Sequence, residues 1–206
     1  MCAEPAASPG LATRAGDGMI RRELRPFAME GSMATLVLAR QRLAQQRLAQ
    51  NLLATPEEVV AWLGAVQAQD YLGAQWALGL RLQHATDAEI DRAFTAGTIL
   101  RTHVLRPTWH FVSPADIRWL LDLTAPRVHA VNAYMYRQLD LDAALFVRSN
   151  TVIAQALQGG PPRTRAELGS ALAAAGIVAA GVRLGYLIHR AELDAVVCSG
   201  PRRGKL

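Results

Sequence analysis

Gln67 and Gln69 flank one small residue, Ala68, and Asp70 follows at once. Each primary amide carries an acceptor oxygen and a donor NH₂, so two that converge can hold a water molecule and a ligand edge together. Neither titrates, so the pair orients and polarises without shuttling protons. Convergence depends on the backbone. On a helix a two-residue step swings side chains by roughly 200°, and the amides face apart. On extended or turning backbone the same step sends both amides to one side and Ala68 to the other. The plain alternative is a polar helix end. Asp70 is read as a helix N-cap, with a catalytic carboxylate as the open alternative.

Few other residues offer chemistry at a recognisable spacing. Cys2 and Cys198 stand at opposite ends, and neither has a Cys or His at metal-site spacing. No disulfide framework, metal site or cofactor is therefore expected. The net charge is +5 and the isoelectric point about 9.9, which suits a polyanionic partner. The apolar stretch nearest to membrane length, Ile177 to Leu193, is interrupted by Arg183, His189, Arg190 and Glu192. No transmembrane segment or secretion signal is read, and the expected location is the cytoplasm.

The elements that must position the glutamines announce themselves by their caps. Residues 1–33 lack a period and read as a disordered tail or a misplaced start. A helix is expected over Leu36–Gln50, with its leucines buried. Thr55-Pro56-Glu57-Glu58 is a complete capping box, and Val59, Leu63 and Val66 continue it as one apolar stripe. Thr86-Asp87-Ala88-Glu89 is a second box, for a helix that stops at Gly97. Ile99–Leu105 and Thr108–Val112, split by Arg106-Pro107, read as a β-hairpin. Ser113-Pro114 opens a further helix, and 124–158 is helical with Tyr134, Tyr136 and Phe146 as anchors. Gly159-Gly160-Pro161-Pro162 is a linker. Thr164-Arg165-Ala166-Glu167 is another capping box, a second helix runs from about Ala180 to Leu193, and Ala195–Ser199 reads as a strand.

This predicts a mainly α fold with short β-hairpins, built as tandem winged helix-turn-helix units of which the second is incomplete. The expected divisions are 34–125 for the first unit, 126–160 for a helical connector and 161–206 for the truncated second unit.

With those residues placed, the chain resembles the winged-helix DNA glycosylases associated with resistance to DNA-crosslinking natural products. The likeness rests on Leu63-Gly-Ala-Val-Gln-Ala-Gln-Asp-Tyr71, Trp76-Ala-Leu-Gly-Leu-Arg81, Leu100-Arg-Thr-His-Val-Leu-Arg-Pro-Thr-Trp-His-Phe-Val112 and Thr164-Arg-Ala-Glu-Leu168. It implies excision of N7-alkylated purines, crosslink adducts among them, from double-stranded DNA. The family's paired-glutamine motif falls on Gln67 and Gln69. In that setting Arg101, His103 and His110 of the hairpin are candidates to approach DNA or line the lesion site. Arg163, Arg165, Arg202 and Arg203 are candidates for phosphate contacts. A monomer working at the nucleoid is expected. Family members generally continue beyond this length, so two other readings stand beside the first. One is a noncatalytic winged-helix DNA-binding protein; the other is an inactive truncated fragment.

Overall fold

The computed structural model describes residues 33–49 and 52–202. Residues 1–32 of the expected 1–33 tail, Cys2 among them, and Arg203 lie outside the described residues, while Met33 opens the first helix. Helix α1 (Met33–Gln45) stops five residues before the expected end, with Arg47 turning into positive φ. Its leucines are not buried: Leu36, Leu38 and Leu43 are each more than 40% exposed. The helix end is held by polar bonds instead. Trp62 Nε1 donates to Gln45 O at 2.8 Å, and Arg81 Nε donates to Gln46 O at 2.9 Å.

The Thr55 capping box forms and starts α2 (Pro56–Leu63), which buries Val59 and Val60. The apolar stripe does not carry on into Val66. Gly64 takes φ +74° and ends the helix, and the chain emerges as a short strand, β1 (Ala65–Gln67). Helices α3 (Tyr71–Gly79) and α4 (Asp87–Ala96) follow, the latter capped by Thr86 and Glu89 and closed by a left-handed Gly97. The hairpin is then β2 (Leu100–His103) and β3 (Trp109–Val112). All three strands form one antiparallel sheet in the order β1-β3-β2.

Both faces of this sheet are covered. Val66 and Phe111 point into a core with Val59, Leu78, Ile90 and Phe94 from α2, α3 and α4. There Tyr71, Phe94 and Phe111 meet with ring centroids 5.7–5.9 Å apart, the spacing of edge-on aromatic contacts. Val112 and Val104 enter a second core with Leu120, Leu121 and Val128 of α5 (Ile117–Gln138). That helix begins later than the Ser113-Pro114 signal implies. Asp116 takes the N-cap position without a side-chain cap, its carboxylate accepting from Trp119 Nε1 at 2.7 Å instead.

The helical stretch expected to run through 124–158 is broken. Asp140 adopts φ +50°, and Asp142 caps a separate helix, α6 (Ala143–Leu157). Helix α6 packs with α7 (Arg165–Ala174) and α8 (Gly181–Leu193) around Phe146, Ile153, Leu172 and Leu187. Tyr136 and Phe146 anchor this core, whereas Tyr134 is 61% exposed.

Ala195–Ser199 is not a strand. Ala195 turns with φ +56°, and Val196 and Val197 pack onto the α6–α8 core. Only Ser199 makes a bridge, its N–H donating to Arg101 O at 2.8 Å on the outer edge of β2. The Val196 and Val197 N–H groups donate to Ala191 O, at 2.9 and 3.4 Å, in place of a strand partner. Among the described residues no helix is long and apolar enough to cross a membrane.

Candidate functional site

The Gln67-Ala68-Gln69 segment leaves β1 at Gln67 and bends at Gln69. Val66 and Ala68 are buried, while Gln67 and Gln69 are exposed on the side away from the core. Alternation along the strand accounts for Gln67, and the bend for Gln69. The segment is fixed from both directions. Ala68 N–H donates to Trp109 O at 2.7 Å. Ala68 O accepts from Arg101 Nε at 3.1 Å and Nη2 at 2.9 Å. Trp109 acts twice, because its own N–H donates to Gln69 Oε1 at 3.3 Å. One lone pair of that oxygen and the whole NH₂ group remain for a ligand. Gln67 stands opposite His110 in the sheet register.

Asp70 departs from its expected role. It occupies the N-cap position of α3, and its backbone oxygen accepts from Ala74 N at 3.0 Å, yet its carboxylate makes no capping bond. The carboxylate lies over Gly73, where an added Cβ would come within 2.7 Å of Oδ2. An exposed, uncommitted carboxylate thus adjoins the glutamine pair at the favourable end of a helix dipole.

The hairpin candidates separate by burial. Arg101 is half-buried, with its guanidinium 4.5 Å from the Trp109 ring centre while it grips Ala68. Burial lowers its pKa, without threatening a charge this robust. His110 is 5% exposed and bonds Thr108 O through Nδ1 at 2.9 Å. Its pKa is lowered chiefly by burial, and its ring lies inside the protein.

His103 is also interior. It pairs through Nδ1 with the Glu192 carboxylate of α8. Its ring lies between those of Trp109 and His189, each centroid 4.2 Å away. Burial, followed by the neighbouring His103 and His129, pushes the His189 pKa down to about 3.

The arginines of the second helical unit fall on one side. Arg163 Nε donates to Ala156 O at 3.3 Å, and Arg165 Nη2 donates to Gly181 O at 3.1 Å. Arg202 lies over the Tyr71 ring at 4.8 Å. Tyr71 in turn donates its hydroxyl to Asp91 at 2.7 Å; burial, and then this bond, raise its pKa. Arg101, Arg163, Arg165 and Arg202 line one cavity.

Glu192, His189 and Asn132 escaped the sequence reading. Glu192 alone left a trace: it falls four residues after Ile188 on the apolar stripe of α8, where a carboxylate needs a buried partner. That partner, His103, is 89 residues away in sequence. Among the described residues no group of His, Cys, Asp and Glu is arranged to hold a metal ion.

Residues 60–206 match the family described as DNA glycosylase AlkZ-like. No curated protein matches the chain significantly. Among solved structures, Streptomyces sahachiroi DNA glycosylase AlkZ aligns with a TM-score of 0.69 at 24% identity, over 80% of this chain and 45% of that one. At that identity the likeness speaks for the fold. The chain spans less than half the length of that structure.

Proposed function

Since the chain belongs to the AlkZ-like DNA glycosylase family, we propose that it removes N7-alkylated purines from double-stranded DNA, with Gln67 and Gln69 as its catalytic pair. The observation that carries this reading is the Gln67-Ala68-Gln69 segment, with two amides on one exposed side of a backbone held at both the N–H and the C=O of Ala68. Crosslink adducts of the same N7 chemistry belong to the same substrate class.

Neutral amides suit this chemistry. An N7-alkylated purine is already cationic, so it departs with the electron pair of the C1′–N9 bond and becomes neutral without a proton from the protein. The sugar is left as an oxocarbenium-like cation. Water oxygen then bonds to C1′ and its proton passes to solvent. What the protein supplies is orientation of that water and dipoles aimed at the developing positive charge. The amide oxygens of Gln67 and Gln69 do both, and the Trp109 N–H on Gln69 Oε1 fixes which way one amide turns. Asp70 adds negative field beside them.

The element order α2-β1-α3-α4-β2-β3, with sheet order β1-β3-β2, supports reading the first unit as a winged helix with the hairpin as its wing. Leu105, Arg106 and Pro107 form its exposed tip, tied back to α5 by Leu105 N–H on Thr124 Oγ1 at 3.1 Å. We take the protein to act on duplex DNA as a monomer.

Single-turnover release of 7-methylguanine from a methylated duplex tests the assignment. Gln67→Ala and Gln69→Ala each lose about 2–4 kcal/mol of transition-state stabilisation, the cost of one preorganised contact. The double variant loses less than the sum, because the two amides share one water. Wild-type rates from a folded double variant would refute the catalytic pair.

A further inference from the structure

Trp109 makes both of its bonds to the glutamine segment through its backbone: its C=O accepts from Ala68 N–H, and its N–H donates to Gln69 Oε1. What holds Trp109 itself comes partly from another unit of the fold. It stands opposite His103 in the last register pair of the β2–β3 ladder, the pair nearest the exposed tip. Backbone pairing opens most readily at such an end, so side-chain contacts decide how well the end is held. Hydrogen bonding does not orient the indole, because Trp109 Nε1 is buried without a partner among the described residues. Packing against the Arg101 guanidinium and the His103 ring does.

The His103 ring is fixed in turn from α8. Its Nδ1 bonds the Glu192 carboxylate, and the His189 ring, from the same helix, lies 4.2 Å from it between centroids. Glu192 is only 4% exposed and stands between Ala191 and Leu193, both buried as well. A buried carboxylate paired in this way often adds little to stability over an apolar side chain of similar volume. It adds direction instead, since one bond at Nδ1 sets how the imidazole is turned. The same charge reaches the other support of Ala68: burial lowers the Arg101 pKa, and Glu192 is the foremost influence opposing that fall.

We propose that Glu192 and His103 are positioning residues for the glutamine pair: Glu192 sets the His103 ring, that ring sets Trp109, and Trp109 sets Ala68 and Gln69. Helix α8 thereby belongs to the site, although its carboxylate acts at one remove. The inference rests on the excision reading above.

Glu192→Met fills the buried volume without the carboxylate. Single-turnover release of 7-methylguanine at saturating protein should fall about tenfold, short of the roughly hundredfold that a misplacement of about 1 Å costs. The protein concentration giving half the maximal rate should stay unchanged. Glu192→Gln, whose amide still bonds His103 Nδ1, should restore most of the rate. In a Gln69→Ala background, Glu192→Met should slow release by less than about twofold more, because its effect passes through Gln69. Independently of catalysis, the Trp109 backbone and Gln69 side-chain amide signals in a ¹H–¹⁵N spectrum should shift in the methionine variant and return in the glutamine one. His103→Asn, which keeps a donor toward Glu192 but loses the ring, should reproduce the slower rate and the shifted signals, and it decides the question should the methionine variant not fold. Unmoved amide signals with a wild-type rate, a loss that persists in full without Gln69, or no rescue by glutamine would overturn the positioning role. Wild-type release by Gln69→Ala alone would defeat the excision reading instead, and the amide signals would still report whether Glu192 sets Gln69.

Discussion

Replacing Arg101 by methionine keeps the length and much of the apolar stem of the side chain but removes every donor. In the native arrangement two of those donors end on Ala68 O, and Ala68 is fully buried. A buried carbonyl stripped of its donors costs about 1–3 kcal/mol. The guanidinium also lies 4.5 Å from the Trp109 ring centre, a partly desolvated stack worth about 0.5–2 kcal/mol. Arg101→Met should therefore destabilise the chain by about 2–4 kcal/mol, or roughly 5–15 °C in Tm for a chain of this size. The Ser199 bond to the Arg101 backbone survives the change. Urea unfolding followed by circular dichroism reads the stability, and single-turnover excision at a temperature where the variant is folded reads the second effect. With the Ala68 carbonyl unheld, the Gln pair loses its orientation and the rate falls even in folded protein. Arg101→Lys, with one movable ammonium on a shorter side chain, should recover part of both losses. A methionine variant within about 0.5 kcal/mol of wild type and equally active would refute the clamp.

Two further outcomes follow from other groups. His189 has a folded pKa near 3 against an ordinary value of 6.5, so below pH 6.5 the unfolded chain binds a proton that the folded chain refuses. Its contribution to stability is lost progressively as pH falls from 6.5 toward 3, by at most about 1.4 kcal/mol per pH unit. His189→Asn, whose amide can still accept from Asn132, should flatten this stretch of the stability–pH curve; parallel curves for the two proteins would rule it out. Asp70→Asn should change the unfolding midpoint very little, since its carboxylate caps nothing, while slowing excision through loss of field near the glutamines. A stability loss with unchanged excision would return Asp70 to a purely structural part.

Much of the helical framework is legible in the chain because capping is local. At Thr55, Thr86 and Thr164 each side chain and its glutamate three residues on satisfy one another's backbone, and all three boxes form. The hairpin is legible for a related reason: two β-rich runs flank Arg106-Pro107, and close pairing follows. What escapes depends on distant partners. Three residues are too few for β1 to show a period, and its strand character comes from β3, some 45 residues on. The helix-period stripe through Val66 is a coincidence that Gly64 breaks. Leucines in α1 read as buried because periodicity says which side they share, and is silent on whether anything covers that side. Ala195–Ser199 has strand composition, yet its valines find helices before they find a strand. At the site, the exposed pair on either side of Ala68 follows from spacing once the strand and the bend after it are given. The hold on Ala68 does not, since Arg101 and Trp109 arrive from the hairpin. The pairing of His103 with Glu192 is likewise illegible, because the two stand 89 residues apart.

Strand β3 is four residues long, and its two faces answer to different neighbours: Phe111 belongs to the aromatic core under α3 and α4, and Val112 to the core under α5. Its first residue, Trp109, meanwhile supplies the N–H and the C=O that orient Gln69 and Ala68. In terms of descent, such a strand can exchange side chains of similar shape but cannot change length. One inserted residue would reverse every face, turning Phe111 toward α5 and moving the Trp109 peptide off the glutamine loop. An inserted residue should therefore be borne best at the exposed tip, Leu105–Pro107, and the glutamine site shares the low tolerance to insertion of the core it borders.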